Sequence, residues 1–460
     1  MSENNTYSKF ELTKDFIDNL KQIIEDNDIK RVTEIIADLH SVDIAGIYDE
    51  LNIEEAKFIH LLLDQETASE VISELEDDVR DKFLKALPGE IIAEDVIKNM
   101  ESDDAADVIA DLPEEKKAEV LSNIEDIEQA GDIVELLNYD EDTAGGLMAK
   151  ELVAVNKNLT VRGCLVELRQ QAEKVKNIYY IYVIDDDEKL VGTLSLKKLL
   201  VAQSSQIIFD ICNTDIITAH TGDDDEEVAN LMHKYNLVAL PVVDGIGRLV
   251  GKITIDDVVD VIRDEAEKDY QLMSGITEDV ESSDSVLKLT RARIPWLVIG
   301  LIGELIGSRV IGIFEGDIVK YATLALFMPL IAAMGGNAGV QSSSIIVQGL
   351  ASGNLGIESI GKKIGKEFLI AIINGILLAA IVFAFTLIFH GTLLITISIS
   401  IALIMVIVFA SLFGTIVPLV LNKFKIDPAV ATGPFITTSN DILGFLIYFY
   451  VARIIFSIYG

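Results

Sequence analysis

From residue 294 onward the chain carries apolar runs too long and too poor in charge for the interior of a water-soluble domain. The first, 294–314, has 21 residues with one acid, Glu304, and one base, Arg309. At roughly 1.5 Å per residue it can cross a hydrocarbon layer of about 30 Å. Further runs cover 321–351, 364–389, 393–421 and 429–458. Five spans are expected, forming an all-α polytopic membrane domain over 291–460.

The rest of the chain obeys a different solvent rule. Residues 291–460 hold ten Lys+Arg and seven Asp+Glu, a net of +3, so the total of −37 leaves −40 on residues 1–290. Such a surplus repels phosphate, which argues against a nucleic-acid partner, and concentrates small cations; it also serves plain solubility. With Cys164 and Cys212 alone, neither a disulfide framework nor a Cys-based zinc site is implied. The start, MSENNTYSKFELTKDF, lacks a basic segment followed by an apolar run, so no secretory signal is expected and the acidic half should stay in the cytoplasm. The bases agree: Arg291 and Arg293 precede the first span, Lys362, Lys363 and Lys366 separate the second and third, and Lys423 and Lys425 the fourth and fifth. The positive-inside rule then puts the N-terminus in the cytoplasm and the C-terminus on the extracellular or periplasmic side of a plasma (inner) membrane.

Over 10–138 apolar residues recur at three and four, as in Val71, Leu75 and Val79 or Ala105, Val108 and Leu112, which predicts a stack of short helices. The next stretch repeats at an offset of 59: Ile184-Asp185 matches Val243-Asp244, Lys189-Leu190-Val191-Gly192 matches Arg248-Leu249-Val250-Gly251, and Ser195 matches Thr254. Each copy reads as two apolar strands around a polar turn, then a helix, and resembles a CBS domain; the α/β pair is expected within 139–265. A charged helix from Asp256 to about Met273 leads into the linker 266–290.

A carboxylate inside a span costs roughly 2.5–3.5 kcal/mol on insertion scales and usually faces water or a partner. Asp441 is such a group, expected about 20 Å along a helix beginning at Pro428. Thr437, Thr438 and Pro434 precede it by four, three and seven residues and share its helical face. Pro434 is expected to free a backbone carbonyl there. In the second run, Gly335-Gly336-Asn337-Ala338-Gly339-Val340-Gln341-Ser342-Ser343 reads as an interruption, either lining a path through Asn337 and Gln341 or packing helices through its small residues. Glu304 faces either a partner helix or the inner path. Before the membrane, Asp257, Asp260 and Asp264 form one stripe, and Asp103 and Asp107 share another face. Such pairs are either solvated surface or cation ligands.

PLIAAMGGNAGVQSSSIIVQGLASG and DPAVATGPFITTSNDILGFLIYF, in the order helical domain, CBS pair, connecting helix and five spans, resemble the MgtE family of magnesium channels. The resemblance implies a homodimer in the lipid bilayer with Asp441 as the ion-binding residue near its axis and Asn337 and Gln341 along the path. It also implies regulatory Mg2+ at Glu70, Asp103, Asp107, Gly146, Asp224, Glu226, Asp257, Asp260, Glu265 and Asp269, closing the pore when Mg2+ is ample. Asn236, Lys268 and Gln348 stand where the family often has an acid, an acid and Arg, and Ser439-Asn440 precede the key Asp where relatives are less polar. CBS pairs often hold adenine nucleotides through Ser/Thr-x-x-Asp; the second copy has Thr254 and Asp257, the first Ser195 and Lys198, so ATP is expected at the second if at all. The rival reading is a proton-coupled secondary transporter, since Asp441 could cycle a proton. The spans carry no HExxH, GxSxG or P-loop, which argues against a membrane enzyme.

Overall fold

The computed structural model describes residues 10–459 apart from 38, 76, 279, 281–283, 352–359 and 391. The chain divides into two compact units, Met1–Val261 and Ile262–Gly460.

The first unit opens with α1 (Lys14–Glu25), α2 (Ile29–Ile36), α3 (Ser41–Asp49), α4 (Ile53–His60), α5 (Gln65–Ser73), α6 (Asp77–Ala86), α7 (Gly89–Ile91), α8 (Ser102–Ala110), α9 (Glu114–Asn123) and α10 (Ile127–Leu136). Local chemistry sets their starts. Thr13, Asp28, Asn52, Asp64 and Asp126 each accept a backbone N–H of the first turn, and Asn52 with Glu55 forms a reciprocal capping box. Helices this short are marginal alone. They hold because their apolar stripes merge into one core, with Val71, Ile72, Ala105, Val108 and Ile109 all buried.

The 59-residue repeat folds as two three-stranded sheets. The first copy is β1 (Val153–Asn156), α11 (Val161–Gln171), β2 (Ile181–Ile184), β3 (Leu190–Leu194) and α12 (Leu196–Val201). After α13 (Ile208–Ile211), the second is β4 (Ala219–His220), α14 (Asp225–Tyr235), β5 (Ala239–Val243), β6 (Leu249–Thr254) and α15 (Ile255–Met273). In each the first strand pairs parallel with the second and the second antiparallel with the third. A pseudo-two-fold relates the copies: Leu190 N donates to Gly247 O and Leu249 N to Glu188 O, both at 3.2 Å, and all four residues correspond at offset 59. Glu188 and Gly247 both take positive φ, 62° and 86°. In that left-handed turn Asp185 and Asp244 accept the same two backbone N–H groups. The hydrophobic core of the helical stack continues into the second copy through Ala219, Val228, Met232, Leu240 and Ile253, whereas the first copy has its own core. The segment joining stack to repeat also crosses the second copy, where Ala149 bridges Lys252. A β-carbon on Gly251 would lie 2.8 Å from Met148 Cγ and 3.0 Å from Ala149 O, so only glycine admits the crossing.

The second unit holds five helices long and apolar enough to span a bilayer: α16 (Val286–Ile313), α18 (Thr323–Ala351), α19 (Ile360–His390), α20 (Leu393–Lys423) and α21 (Gly433–Tyr459), with the short α17 (Glu315–Lys320) after α16. Half of the most apolar window of α20 is buried against 17% for α16 and α19. Thus α20 is central, and the outer helices turn apolar side chains outward, as a hydrocarbon solvent permits.

Three expectations need correction. The first spanning helix starts at Val286, eight residues before the apolar run. The glycine-rich stretch does not interrupt the second, since α18 is continuous through it. Its glycines are contact points: β-carbons on Gly335, Gly336 and Gly339 would lie 3.0 Å from Val406 Cγ1, 3.3 Å from Thr437 Cγ2 and 2.8 Å from Ile436 Cγ2, the close backbone approach that small residues allow between membrane helices. Finally, Pro428–Ala431 forms a separate 3-10 turn, and α21 begins at Gly433. Pro434 therefore sits in the first turn, where its missing N–H costs nothing, and not inside the helix as a kink.

Candidate metal centres

With α21 starting at Gly433, Asp441 lies roughly 12 Å along it, not 20 Å. Thr437 and Thr438 bracket its face. Thr437 turns its methyl to Gly336 of α18, and Thr438 packs its methyl on Gly303 of α16. Thr437 Oγ1 donates to Gly433 O at 3.0 Å, a bond within its own helix. Asp441 is half-buried, and its Oδ1 is shut from solvent with no hydrogen-bond partner among the described residues. The carboxyl group beside it belongs to Glu304 of α16. Arg453, further along α21, is bound to Asp317 at 2.6 Å and stacked on Phe314 at 4.9 Å, so it does not neutralise Asp441. Asn337 and Gln341 lie four apart on α18, both exposed on the protomer surface. Asn440 is fully buried and reaches Gly335 O at 3.5 Å. That extra polarity belongs to the α18–α21 contact.

A second acidic centre lies in the first unit. Asp103 and Asp107 of α8 are joined by Glu101, Asp104 and, from α15, Asp257. Burial first, then neighbouring carboxylates, pushes the group upward: Asp107 from 3.8 to about 7, Asp104 from 3.8 to about 6, and Asp103 well above its ordinary value. Burial also raises Asp257, against the opposing Thr254 N–H and hydroxyl, which donate to Asp257 Oδ2 at 2.9 and 2.8 Å. Asp103 is buried among these acids, whereas Asp104 and Asp107 keep solvent-exposed surface. Glu101 and Asp104 are not singled out by the Asp103–Asp107 pair, although both stand at a helical spacing of three, Glu101 to Asp104 and Asp104 to Asp107; the signal is the Glu101-Ser102-Asp103-Asp104 run at a helix start.

Glu70 on α5 is engaged differently. Lys176 holds it at 3.0 Å, and the same ammonium feels Glu101 and Asp104. A lysine from the first CBS copy thus stands at the mouth of the acid cluster. Asp224 caps α14 by accepting Glu227 N at 3.3 Å. It is bridged to Thr143 in the turn that carries Gly146, where a β-carbon would lie 2.6 Å from Asp140 O. Glu226 and Asp260 are exposed. In the second unit, Glu265 pairs with Lys268 at 2.9 Å. Burial and then Asp427 push Asp269 to about 6. Asp427, which precedes the 3-10 turn, carried no local sequence signal. Among the described residues no group of three or more His, Cys, Asp or Glu is arranged to hold a metal ion.

Beside the cluster, a small cleft is lined by Val153, Ile178, Tyr179, Tyr180, Tyr182 and Lys252 among others. Lys252 Nζ and Tyr182 OH are buried there without a hydrogen-bond partner among the described residues. Lys252 lies 3.5 Å from Glu101.

Comparison with known proteins bears on the whole chain. The MgtE intracellular N domain matches residues 39–142, the CBS domain 144–205 and 208–264, and the MgtE divalent cation transporter domain 328–451. The Magnesium transporter MgtE of Bacillus subtilis is 33% identical over 430 residues, covering 94% of this chain and 95% of that protein. The chain belongs to the MgtE family of magnesium transporters. The MgtE of Thermus thermophilus is likewise 33% identical, over 95% of this chain and 98% of its own length. A crystal structure described as the cytosolic domain of the Mg2+ channel MgtE in complex with ATP superposes with a TM-score of 0.50 at 35% identity, covering 53% of this chain and 99% of that one. MgtE is a transporter family and not an enzyme family. Its architecture is the one seen here: a helical N domain, a CBS pair and apolar spans.

Proposed function

We propose that this MgtE-family chain is a Mg2+-selective channel for Mg2+ uptake, closed by Mg2+ bound among its acidic soluble surfaces. The observation that carries the reading is Asp441: an acid with an unpartnered, solvent-shielded oxygen in the last span, set between glycine-lined α16 and α18. An acid in that position marks an ion pathway or a proton relay, and the hydroxyl and amide oxygens of the same unit favour the first. Mg2+ dehydrates reluctantly and takes one or two carboxylates with several waters. Asp441, Thr437, Thr438, Asn337 and Gln341 offer that mixture of charge and neutral oxygen. Pro434 starts the helix that presents them.

Two copies facing each other would double the carboxylates. Support for a homodimer comes from the CBS repeat, where Leu196 and Leu200 and their counterparts Ile255 and Val259 are all exposed. These apolar pairs recur at the same offset of 59, and a two-fold partner covers both. The basic residues at 291–293, 362–366 and 423–425 favour a cytoplasmic N-terminus and an external C-terminus.

Closure follows from the acid cluster. Within the first unit Glu70, Asp103, Asp107 and Asp257, with Asp224, Glu226 and Asp260 elsewhere, and within the second Glu265 and Asp269, carry like charges that repel when Mg2+ is scarce and that Mg2+ offsets when it is ample, while Gly146 can offer only its backbone. Moving a 1:99 equilibrium to 99:1 takes about 5.5 kcal/mol, and a site at ten times its dissociation constant supplies roughly 1.4, so about four such sites suffice. The lining of the cleft offers surface contacts for an adenine nucleotide. Its tyrosines offer a stacking surface, the Tyr182 hydroxyl and the Lys252 ammonium, which is paired with Glu101, offer donors, and Thr254 and Asp257 stand nearby as the family's ribose contact.

Flux into liposomes with internal and external Mg2+ varied separately tests this. Saturating, voltage-driven entry that stops when Mg2+ rises on the soluble-domain side is expected; entry driven by an imposed proton gradient would favour coupled transport instead.

A further inference from the structure

The side-chain contacts between α16 and α21 fix their register. Gly303 meets Thr438, and one turn on, Gly307 meets Ile442, whose Cγ1 lies 3.9 Å from the β-carbon position. The two helices therefore run parallel, with Glu304 and Asp441 between these contacts and their carboxyl groups side by side. Among the described residues neither has an ion pair with a base. Arg453 is held by Asp317, and Arg309, five residues after Glu304, points roughly 140° away around the helix. Glu304 is also exposed on the single protomer. An acid in mid-span cannot face hydrocarbon at acceptable cost, so that surface meets water or another subunit. Asn337 and Gln341 of α18 are exposed polar groups of the same membrane unit.

We propose that Glu304 is a second carboxylate ligand of the transported divalent cation, forming with Asp441 a two-carboxylate site between α16 and α21. The proposal rests on the assignment of Asp441 to the ion path. The chemistry favours a divalent cation because two adjacent carboxylates in a poorly screened site repel unless a positive charge lies between them. One or two carboxylates with retained waters is the coordination Mg2+ accepts. The small residues flanking Glu304, Gly303 and Gly307, bring α16 near enough for its acid to act at a site on α21.

The test is Mg2+ flux against Mg2+ concentration for the full-length protein in liposomes. Glu304→Gln should raise the half-saturating concentration about tenfold or more, with the elution volume in detergent unchanged. Glu304→Asp, which keeps the charge but withdraws it by one methylene, should fall between the two, a graded rescue that a packing role would not give. Wild-type half-saturation in Glu304→Gln together with a silent Asp441→Ala would overturn the proposal and leave the ion path standing. A conducting Asp441→Ala would sink the ion path itself. If Glu304→Gln does not fold, Glu304→Asp decides alone: unchanged half-saturation rejects the ligand role. Flux that tracks an imposed proton gradient in the wild type and loses that dependence in Glu304→Gln also rejects it, in favour of a proton shared by the pair.

Discussion

Asp107→Asn should stabilise the first unit when Mg2+ is absent. In the native fold the surrounding protein and then Asp104 hold Asp107 up at about 7 from an ordinary 3.8; its side chain keeps contact with solvent, so screening leaves about 1 kcal/mol of that against the ionised form at high pH. The carboxylate has a raised folded value, so its contribution to stability is fully present below pH 3.8 and is lost as pH rises through about 7. At pH 8 the wild type bears nearly the whole penalty, whereas Asn bears none. For a unit of this size that moves the melting temperature by about 2–4 °C. Calorimetry of the full chain in detergent, following the soluble transition at pH 8 and pH 5 with chelator and with Mg2+, reads the effect. The gap between variant and wild type should shrink at pH 5, where a proton already neutralises the acid. Mg2+ should raise the wild-type transition more than the variant's. A variant that melts at or below the wild type at pH 8 without Mg2+ would refute the claim that Asp107 is held ionised under strain.

Lys176→Met removes the ammonium that pairs with Glu70 and faces Glu101 and Asp104; Mg2+ protection of the soluble unit from protease should then appear at a lower Mg2+ concentration, by a factor of about two to five, since an exposed pair is worth less than 1 kcal/mol. Leu200→Glu combined with Val259→Glu, which charges both exposed members of the repeated apolar pair, should shift dimer to monomer in multi-angle light scattering of the detergent-solubilised protein, and an unchanged mass would return those residues to ordinary surface.

Much of this architecture was legible because the information was local. The repeat could be aligned from strand residues alone, and the hydrogen bonds between Leu190, Gly247, Leu249 and Glu188 express the same offset in space. That the helical stack shares its core with the second CBS copy, through Ala219 and Met232, depends on contacts across a hundred residues. No periodicity reports them. Asp441 stood out because a lone acid in an apolar run has few explanations. Its depth was misjudged because the 3-10 turn at Pro428–Ala431 looks like helix in composition. Gly335, Gly336 and Gly339 suggested a break because glycine breaks helices in water; with α20 and α21 packed against them they permit contact instead. Glu304 was left between two readings, and the α16–α21 register supplies what one helix cannot: the identity of its neighbour.

The most direct test of the account is Mg2+ flux through Asp441→Ala, reconstituted in liposomes beside the wild type and shown to insert and elute as the wild type does. The account predicts no flux above that of protein-free vesicles, because the substitution removes the carboxylate on which the ion path is built, with its solvent-shielded Oδ1. Flux equal to the wild type at the same Mg2+ concentration would contradict it.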